Sequence, residues 1–149
     1  VSARPGGHDR GMRAVERVRS VRERDSRLGL QAAAVERDRQ QDRLTELQER
    51  LAGAPAWGVG ETWSYLAERT ALLSLGDASS RAEQELAAAQ RIAEAAHAHW
   101  SQDRTRLAAV ENLLERRAEA RRVERARREA RELDDIAAQL WSRQQGGAR

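Results

Sequence analysis

Few side chains in this chain have the type and spacing to do chemistry. His97 and His99 are the only close pair of potential nitrogen ligands. They lie two residues apart in a helical stretch, so they point to different faces and cannot share one ion as an i, i+4 pair would. Asp134 and Asp135 are adjacent and diverge in the same way, which is no arrangement for paired acid–base carboxylates. Every glycine falls in a tail, in a turn or singly within a helical pattern, so there is no phosphate-cradling loop. Cysteine is absent, which removes disulfides and thiolate zinc sites. Catalysis also needs polar groups converging in a concave pocket, and a two-helix rod supplies none. The expectation is a non-enzyme with no catalytic residue, no cofactor and no metal, which acts through surfaces.

Arginine dominates those surfaces. All 27 basic residues are Arg and the net charge is only +3, so the high pI reflects arginine's basicity more than a charge excess. Residues 1–28 hold eight Arg against four acids, residues 116–132 again eight against four, and residues 29–115 nine against fourteen. Solvation by i, i+4 pairs such as Arg125/Glu129 and Arg128/Glu132 accounts for such segments, as does a docking surface for an acidic partner. Nucleic acid is not expected: interleaved Glu cancels half of the clustered charge, and no stacking aromatics accompany it.

The elements that carry these residues read as helices throughout. From Ser80 to Arg143 there is neither Gly nor Pro, so 64 residues contain no helix stop. Ala, Arg, Glu and Leu prevail and Phe is absent, a composition that fills a thin two-helix seam but no thick core. Residues 1–11 read as a flexible tail, with translation from Met12 as the other explanation of that segment. Residues 12–143 form a single coiled-coil domain. It comprises a helix over 12–52, a turn over 53–60 set by Gly53 and Pro55, a short helix over 61–75, a break over 76–79 and a long helix over 80–143 capped by Ser80 and Glu83. Residues 144–149 form a second flexible tail. No apolar run approaches the roughly 20 residues of a membrane span, and the N-terminus has no apolar signal core, so a cytoplasmic location without membrane insertion is expected.

Pairing of the arms follows from residue numbers. In an antiparallel pair, facing positions add to a constant. Leu47 with Leu107, Leu44 with Val110, Leu28 with Ala126, Val21 with Leu133 and Val18 with Ile136 all give 154. The fold-back then falls near residue 77, giving an all-α, elongated, two-arm antiparallel coiled-coil hairpin with an interrupted first arm. Slipped heptads match as well. The alternative makes residues 61–143 one kinked helix with the turn at 54–60, and leaves Val110, Leu114, Leu133 and Leu140 unpartnered. In the favoured register the basic segments meet at the end bearing both termini, as a positive surface of Arg17, Arg24, Arg122, Arg125 and Arg128. Of the four tryptophans, Trp63 and Trp100 fit the apolar register, while Trp57 and Trp141 are candidates for partner contacts.

These residues resemble the flagellar FliJ family. Arg17-Val-Arg-Ser-Val-Arg-Glu-Arg24 is similar to its opening helix, and the interruption at Gly53–Gly60 followed by Trp63 to its mid-chain break. Trp100, Arg106-Leu107, Leu113-Leu-Glu-Arg-Arg117 and Glu132-Leu-Asp-Asp-Ile-Ala137 resemble its C-terminal helix. The resemblance implies a soluble coiled-coil component of the flagellar type III export apparatus, similar to the stalk of rotary ATPases. It would be peripherally associated with the membrane at the flagellar base. Implied partners are the export ATPase, reached through the positive end just named, the export gate and export chaperones. Gln40, Leu44, Leu47 and Leu51 resemble the family's gate-facing strip, where aromatics are often found in place of Leu47 and Leu51; without the resemblance these leucines read as seam. A generic coiled-coil adaptor unrelated to flagella is the competing reading.

Overall fold

The structure, a computed structural model, describes residues 7–54 and 62–146, with side chains for 9–54 and 62–143. Two helices account for nearly all of them: α1, Gly7–Ala52, and α2, Thr62–Gly146. Asp9 sits in the first turn of α1 and Arg50 in its last, each complementing the helix dipole. The stop at Gly53 is explicit. Its N–H donates to the Glu49 carbonyl at 2.8 Å, closing the last turn, and Pro55 follows in the sequence.

The expected break over 76–79 is not there. Residues 62–75 are the first part of α2, and Gly76 to Ser80 continue the helix without a positive φ. The first arm is therefore not interrupted as expected; the sequence between the arms leaves the helix at Gly53 instead. The reason is energetic. One helical glycine costs about 1 kcal/mol relative to alanine, and Ser79 and Ala82 just beyond it are buried against α1, whereas Gly53 and Pro55 together close a helix. A Cβ at Gly76 would meet nothing within 4 Å. Gly76→Ala should therefore stabilise the protein, by up to about 1 kcal/mol, as a rise in the urea midpoint. A loss of stability would mean that the chain turns at this glycine. The tails are also shorter than expected, since Gly7–Gly11 and residues 144–146 are helical. Residues 1–6, 147–149 and most of the 53–60 turn lie outside the described residues.

The chain divides into two compact units. One spans Ser20–Thr105; the other joins α1 up to Arg19 with α2 from Arg106 onward. Within the first, the helices pack antiparallel through a seam that repeats at alternating steps of three and four residues. On α2 it runs through Ser79, Ala82, Leu86, Ala89, Ala93, Ala96, Trp100 and Asp103, and on α1 through Glu23, Ser26, Leu30, Ala33, Arg37, Gln40, Leu44, Leu47 and Leu51. Leu44, Ala82 and Leu86 form its core cluster, with Leu47 packed on it. Arg43 pairs with Glu85 at 3.0 Å beside that cluster, and the Trp100 indole N–H donates to Glu23 Oε1 at 2.9 Å farther along.

This register corrects the expected one. Leu44 faces Ala82 and Leu86 instead of Val110, and Ala82 lies 28 residues before Val110, a slip of four heptads. Val21 and Leu28 are then not seam residues but 59% and 56% exposed. A heptad pattern fits itself at every repeat, so the stop at Gly53 decides the pairing. Polar residues occupy the seam because they are satisfied there: Glu23, 7% exposed, takes the indole proton.

In the other unit Leu107 is buried and Val110 and Leu114 are half-buried. Asp9, Met12, Glu16 and Arg19 are the half-buried positions of α1 there. Asp9 anchors the start of α1 to Arg117 and Arg121 of α2. Beyond that tie α2 runs past the described start of α1, and every residue from 119 to 143 is exposed. Leu133 and Ile136, expected opposite Val21 and Val18, lie on this stretch, and Val18 is likewise exposed.

Candidate partner-binding site

The described residues hold no group of three or more His, Cys, Asp or Glu placed to bind a metal ion, and no helix among them is long and apolar enough to cross a membrane. His97 and His99 diverge. His97 stacks obliquely on Trp100, with ring centroids 5.8 Å apart, while His99 reaches Asp103 at 3.5 Å. What the fold offers is surface.

The arginines expected to form a positive end are all exposed. Arg17 and Arg24 are exposed on α1, in separate units. Arg122, Arg125 and Arg128 are exposed on the unpaired stretch of α2, where Arg122 contacts Glu119 at 3.5 Å and Arg128 contacts Glu124 at 3.3 Å. Exposed i, i+3 and i, i+4 pairs of this kind contribute only a few tenths of a kcal/mol, so they yield readily to a partner's carboxylates. Within the C-terminal unit, Asp9 pairs with Arg117 and Arg121, while Arg17 is exposed on α1.

Gln40, Leu44, Leu47 and Leu51 all lie in the seam. Leu44 is 7% exposed and the other three are half-buried. Gln40 donates its amide N–H to Glu36 at 2.7 Å. Contact through Leu44 requires α1 and α2 to part there, whereas Gln40, Leu47 and Leu51 keep part of their surface outside the seam.

The favoured register missed the apolar side of the exposed stretch of α2, although the alternative with its turn at 54–60 left Leu133 and Leu140 unpartnered. Leu133, Ile136, Leu140 and Trp141 are all more than half exposed; the first two were assigned to the seam, and only Trp141 was expected at the surface. Trp63, expected in the seam, is 81% exposed, whereas Trp100 lies in it; Trp57 is outside the described residues. The signal available was the steps of three and four through Glu16, Arg19, Glu23 and Ser26, which a hydrophobic pattern passes over because the positions are polar.

Two long helices that pack by heptad seams and carry their chemistry on unpaired surface define a coiled-coil protein. The family model described as "Flagellar FliJ protein" matches residues 10–146. The chain belongs to that family and is a flagellar export-related coiled-coil protein. The family is a non-catalytic structural or escort component, associated in general with the flagellar export apparatus. No curated protein and no solved structure matched the chain.

Proposed function

We propose that this protein binds and stimulates the flagellar export ATPase and links it to the export gate and to export chaperones, from the cytoplasmic face of the membrane at the flagellar base. The observation that carries the reading is the family match together with the unpaired stretch of α2. A helix continuing beyond its partner presents all its faces, and here those faces combine Arg122, Arg125 and Arg128 with Leu133, Leu140 and Trp141. Charge of this sort attracts an acidic surface over about a Debye length, and the apolar residues supply contact area on arrival. The test is reconstitution with the cognate ATPase: the protein should bind at low salt and raise ATP turnover. Absence of both refutes the reading.

The gate contact has its own test. We place it on Gln40, Leu44, Leu47 and Leu51, of which Leu44 must separate from α2 to be reached. Leu44→Cys with Ala82→Cys, oxidised to lock the seam, should abolish gate binding while ATPase stimulation persists. Gate binding undiminished by the lock would put the contact elsewhere.

A further inference from the structure

Besides its seam, α1 carries a second apolar line that is exposed and has no partner among the described residues. Val21, Leu28 and Val35 recur every seven residues and are 59%, 56% and 62% exposed, with Asp25 and Ala32 at the alternating positions. A helix in a two-helix seam needs one such line, and α1 already commits its own to α2. The flanks of the second line are charged asymmetrically. Arg22 and Arg24 border its start, and Glu36 and Asp38 its end.

We propose that this face binds a second copy of the chain, α1 against α1 in antiparallel orientation, about a two-fold axis next to Ser26. Val21 then packs on the partner's Ala32 and Leu28 beside the partner's Asp25, and Arg22 lies alongside the partner's Glu36, twice by symmetry. Pairing in the parallel sense would set Asp25 against the partner's Asp25 inside the contact and bring like ends together, so charge selects the antiparallel form. Arg24 meets its own copy near the axis, next to both Asp25 carboxylates. Glu36 now pairs through one carboxylate oxygen with Arg39 at 3.1 Å, an exposed contact weak enough to exchange, while its other oxygen accepts from the Gln40 amide. Fourteen residues of helix span about 21 Å, and such a contact falls short of the roughly 1,200 Å² of a stable interface. The dimer is accordingly weak and concentration-dependent.

Sedimentation velocity over a dilution series should show a monomer that dimerises as concentration rises. Leu28→Glu, at an exposed position, should leave helicity unchanged and raise the dissociation constant at least about tenfold. Arg22→Glu and Glu36→Arg should each weaken the dimer, and both together in one chain should restore it. Because the chain has no cysteine, orientation can be read directly. Mild oxidation should join Asp25→Cys to Leu28→Cys in a mixture of the two variants, and leave Val21→Cys alone uncrosslinked. A monomer at every concentration, a dimer indifferent to Leu28→Glu, or efficient crosslinking of Val21→Cys to itself would each overturn the proposal.

Discussion

Leu86→Asp should unfold the protein near physiological temperature, and Leu44→Asp should do nearly the same. Both side chains are over nine-tenths buried in an apolar cluster of the seam, where each meets the other and Ala82. An aspartate there loses the leucine's transfer energy and leaves an unpaired charge between two helices, together about 3–5 kcal/mol. Single domains hold only about 5–15 kcal/mol in total, and among the described residues no large side chain is fully buried to compensate. Thermal melts followed by circular dichroism in dilute solution give the comparison. Val21→Asp and Leu133→Asp, at positions 59% and 65% exposed, should melt within about 0.5 kcal/mol of the parent. If Val21→Asp falls as far as Leu86→Asp, the slipped register is the true one.

How much of this was legible in the residues depended on how local each signal was. The all-helical class followed from composition and from the long stretch without Gly or Pro. The end of α1 followed from Gly53 and Pro55, which act within one turn. The pairing did not follow, because it rests on a comparison between equivalent heptads that differ by little. Gly76 looked like the hinge because the pairs adding to 154 put the fold-back beside it, and the residues alone do not reveal the burial of Ser79 and Ala82 just beyond it. The polar seam was hidden for a different reason. Glu23 at a core position contradicts the binary pattern until Trp100, 77 residues away, supplies its proton. The Arg residues could be found individually, as exposed positions, but grouping them depends on the register. Leu44, Leu47 and Leu51 are the opposite case, since the plain reading of them as seam is where the structure puts them.

Reversing Arg122, Arg125 and Arg128 to Glu should abolish stimulation of the export ATPase. The substitutions move six units of charge on a stretch where every residue is exposed, so a favourable long-range field becomes a repulsive one. Encounter rates set by such fields change by factors of about ten to a thousand. Added salt should weaken the parent's binding first and leave the reversed variant indifferent, which separates loss of steering from loss of fold. The reversal also places new glutamates beside Glu119 and Glu124, where Arg122 and Arg128 now pair, and like charges at these spacings cost a few tenths of a kcal/mol each. Some fraying of α2 beyond Arg121 is therefore expected from the reversal itself. The neutral variant, Arg122→Gln with Arg125→Gln and Arg128→Gln, removes that ambiguity because it loses the pairs without adding repulsion. It should keep the parent's circular dichroism and still lose most of the salt-sensitive binding. If the neutral variant stimulates ATP turnover like the parent, the contact does not run through these arginines. The apolar residues Leu133, Leu140 and Trp141, on the same unpaired helix, then become the surface to test.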